Sequence, residues 1–97
     1  TKMIIINAKL KIMVINAKLS KTYEVISHNS RKEEGNLFYH HYEDVTEKNV
    51  FVVVENYKDE QAVQAHNQSD HFKVFSDNIS QYLIEEPQID VSQPIQL

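Results

Sequence analysis

The 97-residue sequence has no cysteine and no tryptophan, one glycine and two prolines. Without cysteine there can be no disulfides, no thiolate metal centres and no cysteine nucleophile. Gly35, Pro87 and Pro94 are too few turn formers for an all-β domain that reverses every dozen residues or less, so longer elements of mixed type are expected. Basic residues are also scarce: 10 stand against 14 acidic ones, a formal net charge of -4, and none form a run. That lacks the footprint of a phosphate-backbone binder, and no nucleic acid partner is expected. The longest apolar runs, residues 4–6 and 50–54, are far too short to cross a bilayer, so no membrane insertion is expected. No charged start followed by an apolar stretch and a small-residue cleavage site is present, which makes a cytoplasmic location the expectation.

At this length residues 1–97 are expected to form a single domain, because a second core would have little left to bury. Chains of this size bury only about two thirds of their unfolded surface, so a symmetric partner that covers more apolar area fits the design.

The string INAKL occurs twice, at residues 6–10 and 15–19. Around the first copy Ile4, Ile6, Ala8, Leu10 and Ile12 share one parity, while Asn7, Lys9 and Lys11 hold the other, the period of a half-buried strand. From the second copy onward Ile15, Leu19, Tyr23 and Ile26 recur at four, four and three, which is one face of a helix. The two copies are therefore read as strand and helix, not as a structural repeat.

Gly35 is expected to close that helix in a left-handed conformation, a simple turn before Asn36 being the alternative. Residues 36–44 read as a second strand, and residues 49–57, rich in β-branched and aromatic side chains, as a third. Asp59 can cap a helix that carries Ala62, Val63 and His66 on one face. A break near Ser69 precedes a helix with Phe72, Phe75, Ile79 and Tyr82 or Leu83, ended by Pro87. Ile89 and Val91 alternate with polar residues in a last strand, with Pro94 at an edge or crossing point.

The order is βαββαβ, which predicts an α+β, ferredoxin-like fold with an antiparallel sheet covered by helices on one face. The uncovered face is expected to carry Ile5, Phe51 and Val53 or their neighbours, and a partner usually buries such a face.

Three stretches, RKEEGNLFYHHYED, FVVVENYKDEQAVQAHNQSDHF and the opening IIINAKLKI, together resemble the antibiotic biosynthesis monooxygenase family, and within it the quinol monooxygenase branch. The specific parts are the Glu-Glu-Gly-Asn turn, the Glu-Asn-Tyr-Lys-Asp that ends the third strand, and Ala-His-x-x-Ser-x-His-Phe between the helices. The resemblance covers nearly the whole chain, with residues 13–30 the least typical. It implies a homodimeric α/β barrel with sheets packed face to face, and a pocket between each sheet and its helices. It further implies oxidation of a quinol or hydroxylated aromatic molecule by O2 with no cofactor. The family also includes haem-degrading enzymes, isomerases of phosphorylated autoinducer-2 and proteins without established activity. The haem-degrading constellation of asparagine, tryptophan and histidine is not matched: the chain has no tryptophan, His66 falls at that place, and Ala8 replaces the asparagine. The isomerase branch shares a similar Gly-Asn-Leu turn and following histidine, and it stands as the alternative together with a non-catalytic ligand-binding dimer of a stress response.

Oxygenating a quinol without flavin or metal makes the substrate the electron donor, so the protein must hold it in a dry pocket, take a phenolic proton and stabilise the anion. Histidine titrates in the right range. His66 is the candidate base, because it shares a helical face with Ala62 and Val63 and so points to the sheet; a histidine satisfied by a backbone carbonyl is the structural alternative. His71 stands five residues on, across the break, and is a substrate-binding candidate that could face the same cavity, but the spacing is unlike one helix face and no metal site is expected from it. His40 and His41 point to opposite sides of a strand, and only one of them can reach the pocket, His41 being the candidate. His28 reads as a solvated helix residue. Glu55 interrupts an apolar run and shares its parity with Tyr57; burying it alone would cost several kcal/mol, roughly, so pairing with Lys9 or Arg31, or a role at the dimer, is expected alongside substrate binding. Asn7 is a candidate on the far parity of the first strand, facing the barrel interior. Tyr39, Phe72 and Phe75 complete the candidate lining for an aromatic ligand.

Overall fold

The computed structural model describes residues 3–14 and 16–95. Their elements run β1 (Ile4–Lys11), α1 (Ala17–Arg31), β2 (Asn36–Glu43), β3 (Val50–Tyr57), α2 (Glu60–Asn67), α3 (Asp70–Ile79) and β4 (Gln88–Ser92). The four strands form one sheet in the order β2-β3-β1-β4, with every neighbouring pair antiparallel. This is the expected α+β, ferredoxin-like arrangement, its second helical region split in two.

The two INAKL copies diverge at their asparagines. Asn7 lies in β1, paired with Val54 on one side and Asp90 on the other. Asn16 instead caps α1, where its side-chain oxygen accepts from the Leu19 amide at 2.9 Å and satisfies a donor the helix leaves free. Ile15, expected on the apolar face of this helix, lies outside the described residues. Asp59 and Ser69 cap α2 and α3 in the same way, accepting from the amides of Ala62 and Phe72.

The core gathers Leu10 and Ile12 from the first strand and its end, Leu19 and Ile26 from α1, Tyr39 from β2, Val53 from β3 and Ile79 from α3. Phe51 and Val53 therefore face the helices, not the uncovered side as expected. An all-apolar strand carries no parity of its own; the register decides, setting Phe51 opposite Leu10 and Val53 opposite Ala8. Their neighbours Val52 and Val54, with Ile5, form the other face.

The last helix also stops earlier than expected, at Ile79, eight residues before Pro87. Beyond it the chain joins the end of β1: Met13 donates to the Tyr82 carbonyl at 2.8 Å, Ile84 donates to that of Lys11 at 3.0 Å, and Leu83 bridges Ile12. Backbone groups at the strand end thus hold Tyr82 and Leu83 out of the helix. Pro94 lies beyond the end of β4.

Gly35 does not adopt a left-handed conformation, and α1 closes at Lys32 in right-handed geometry. Its glycine is required by proximity instead. A Cβ at position 35 would fall 2.3 Å from the Ala62 Cβ and 3.3 Å from its Cα. The Gly35 carbonyl accepts from the Lys58 amide at 2.9 Å, which seats the α1–β2 turn against the start of α2. Among the described residues no helix is long and apolar enough to cross a membrane.

Candidate functional site

Between the sheet and the α2–α3 pair lies a cavity of about 550 Å³. Ile6, Ala8, Leu10 and Val53 form its floor, Val63, Phe72, Phe75 and Ile79 its roof, and Ile89 and Val91 of β4 one side. Its size and apolar walls suit a small-molecule ligand. Among the described residues Glu55 is the only carboxyl group in that lining, accompanied by the polar groups of Tyr39, Asn67 and Ser76. A second, more open depression of about 630 Å³ lies over α1 and β2, lined by Arg31, His40 and His41. It is polar, and it lies away from Glu55.

Glu55 is 8% exposed, and burial raises its pKa above the ordinary carboxylate value, against the opposing effects of the Tyr57 hydrogen bond and of His66. The Tyr57 hydroxyl donates to Glu55 Oε1 at 2.7 Å, and His66 Nε2 stands 3.5 Å from the same oxygen. These partners replace the expected Lys9 and Arg31. Lys9 sits on the opposite face with Lys11, both near Glu47, and Arg31 donates to the Tyr39 carbonyl at 2.8 Å. Burial first, then the nearby Glu55 charge, pushes the hydroxyls of Tyr57 and Tyr39 well above the usual tyrosine range, so both remain protonated donors.

Behind Glu55 the cluster continues. His66 is 2% exposed, and its Nδ1 lies 2.8 Å from Glu33 Oε2; His71 Nε2 approaches that same oxygen at 2.5 Å. Glu33 Oε1 is buried without a hydrogen-bond partner. Spacing along the chain argued against a metal site, but the fold brings Glu33 from the α1–β2 turn between the two histidines. Among the described residues Glu33, His66 and His71 are the group whose donor atoms converge, all within 4.8 Å of one another.

Of the residues singled out from the sequence, Tyr39, Glu55, Phe72 and Phe75 line the cavity, while Tyr57, His66 and His71 stand behind it. His41 does not reach it. The ring packs 4.4 Å from Tyr23 and 6.1 Å from Phe75 between centroids and borders the polar depression instead. Asn7 is exposed on the far side of the sheet. Glu33 went unnoticed, and the one signal for it was its place two residues before the glycine, which Glu34 nearly shares. Glu34 instead points outward, 93% exposed, toward Lys58.

The description "Antibiotic biosynthesis monooxygenase" belongs to the family whose model matches residues 15–78, a span that takes in Glu33, Glu55, Tyr57, His66 and His71. The chain belongs to the antibiotic biosynthesis monooxygenase family. It is 40% identical over 75 residues to "Putative monooxygenase YcnE" of Bacillus subtilis (strain 168), covering 75% of this chain and 78% of that one. Among solved structures it resembles an antibiotic biosynthesis monooxygenase of the same "putative" standing from Caulobacter crescentus CB15, with a TM-score of 0.91, 25% identity and coverage of 98% and 92% of the two chains. SnoaB of Streptomyces nogalater, a cofactor-independent oxygenase, has the same fold at 8% identity, with a TM-score of 0.85 and coverage of 100% and 97%. In this antibiotic biosynthesis monooxygenase chain, the matched span holds Tyr39, Val53, Glu55, Phe72 and Phe75 of the cavity, whereas the cavity walls from β1 and β4 lie outside it.

Proposed function

We propose that this protein oxidises a quinol or a related hydroxylated aromatic molecule with O2, and that Glu55 takes the phenolic proton inside the cavity. The observation that carries this reading is a single buried carboxylate, its pKa raised, on the wall of an otherwise apolar cavity of about 550 Å³. A proton acceptor works best with a pKa near the working pH, and burial moves a carboxyl group in that direction. Phe72 and Phe75 offer flat apolar contact to a ring, Tyr39 in the lining is a protonated hydroxyl for negative charge, and Tyr57 donates to Glu55 behind it. His66, first in line as the base from sequence, stands one step back, with Nε2 turned to Glu55. There it steadies the carboxylate.

Chemically, one oxygen atom enters the ring and the other leaves as water, with the quinol supplying all four electrons and becoming a hydroxyquinone. No added cofactor is needed for that balance. A homodimer is part of the proposal: Ile5, Val52 and Val54 give the far face of the sheet an apolar strip beside Lys9 and Lys11, and Asn7 would lie within that interface. The isomerase alternative wants a cation for a phosphate group. Among the described residues no lysine or arginine lines the cavity, and Lys9 and Lys11 point away from it.

Oxygen uptake with a reduced naphthoquinone, corrected for autoxidation, is the test. Glu55→Gln should lower kcat by about 10²-fold or more, the usual contribution of a positioned base, with the fold retained by circular dichroism. Saturable binding of the quinol with no uptake above background would leave a ligand-binding dimer and overturn the oxygenase reading.

A further inference from the structure

We propose that Glu33, His66 and His71 form a binding site for one divalent transition-metal ion of the zinc class. This goes beyond the oxidation proposed above and does not depend on it.

Three separate segments supply the donors: the turn after α1, the last turn of α2 and the first turn of α3. Their ligand atoms are His66 Nδ1, His71 Nε2 and Glu33 Oε2, mutually within 4.8 Å. Bonds of about 2.0–2.2 Å to a tetrahedral zinc ion place ligand atoms roughly 3.3 Å apart. The two nitrogen-to-oxygen separations are 2.8 and 2.5 Å, so seating an ion needs shifts of under about 1 Å. The short contacts bring both ring nitrogens onto one carboxylate oxygen, as N–H donors. A metal ion takes the place of those protons.

Two further observations separate this cluster from an ordinary hydrogen-bonded trio. Glu33 Oε1 is buried with no partner, an acceptor left over that a second bond to the ion would satisfy. In addition, His66 Nε2 faces Glu55 Oε1 at 3.5 Å. A carboxylate behind the non-ligating nitrogen is how metal-bound imidazoles are commonly oriented and made more basic. Two imidazoles and one carboxylate, with no thiolate, favour zinc, cobalt or nickel over magnesium and calcium. The side chains of His71 and Glu33 are 19% and 17% exposed, which leaves an entry route and an open coordination position.

The test uses the full chain after chelator treatment. Titration with ZnCl2 by calorimetry, and with CoCl2 by visible absorption, should give one ion per chain, and ZnCl2 should raise the Tm. Glu33→Gln and His71→Ala should each weaken zinc binding by at least tenfold, while His28→Ala, on the exposed side of α1, should leave it unchanged. Tm and circular dichroism of the metal-free variants establish that they fold. If Glu33→Gln fails to fold, His71→Ala decides, because His71 is the most exposed of the three. Binding of less than one equivalent by the unaltered chain, or equal affinity in folded His71→Ala, would overturn the proposal.

Discussion

Replacing His41 by phenylalanine should flatten the acid limb of the stability curve. Both ring nitrogens of His41 are buried with no hydrogen-bond partner, and the ring is enclosed by Tyr23, Tyr39 and Phe75. Burial, helped by the charges of Arg31 and His40, lowers its pKa from 6.5 to about 4. The folded value thus lies below the unfolded one, so at intermediate pH the unfolded chain binds the proton that the folded chain refuses. The resulting contribution is fully present above about pH 6.5 and is lost as pH falls toward 4. At about 1.36 kcal/mol per unit the shift corresponds to on the order of 3 kcal/mol, and partial exposure of the ring reduces the expected effect to about 2 kcal/mol. Urea unfolding at pH 7.5 and pH 4.5, at one protein concentration, measures it. The unaltered protein should lose about 2 kcal/mol more between these conditions than His41→Phe does. The comparison uses the difference between two pH values because the larger phenylalanine ring can itself cost about 1–3 kcal/mol at either. Equal losses within about 0.5 kcal/mol would refute the reasoning, since His41 would then have found a partner or solvent.

Gly35→Ala should cost about 1–3 kcal/mol, because its Cβ would meet that of Ala62 at 2.3 Å. Pairing it with Ala62→Gly should recover part of the loss in a double-mutant cycle by urea unfolding. Asn49 has the one positive φ among the described non-glycine residues, 62°, so Asn49→Ala should cost about 1 kcal/mol and Asn49→Gly a few tenths, read as a shift in urea midpoint. Asn16→Ala should lose about 1 kcal/mol with its cap, and the fraying should appear as faster amide exchange at Leu19.

Periodicity made the element order legible. The caps at Asp59 and Ser69 follow from side chains that compete well for helix-start amides, and the two uses of INAKL follow from different hydrophobic periods. Parity was less informative. Residues 50–54 are all apolar, so which of them face the helices depended on pairing with β1, a contact remote in sequence. For Gly35 the sequence suggested a backbone conformation, whereas its neighbour Ala62, 27 positions away, is what excludes a side chain. The candidate site was half legible. Glu55, Tyr57 and His66 stood out because a carboxylate and a histidine on apolar faces need partners. Glu33 did not, since an acidic residue in a charged turn looks solvated until the fold carries it between two histidines. Glu55 is partnered by Tyr57 and His66 in place of the expected Lys9 and Arg31.

A surface turn between a helix and a strand ordinarily accepts an extra residue or the loss of one. The segment from Lys32 to Gly35 should not. Its glycine is wedged against Ala62 of α2 while the carboxylate two positions earlier must reach His66 of that helix and His71 of α3, so its length is dictated at both ends. Insertions here should abolish the carboxylate's reach while leaving the sheet intact, which makes this outer loop as intolerant of indels as any buried strand.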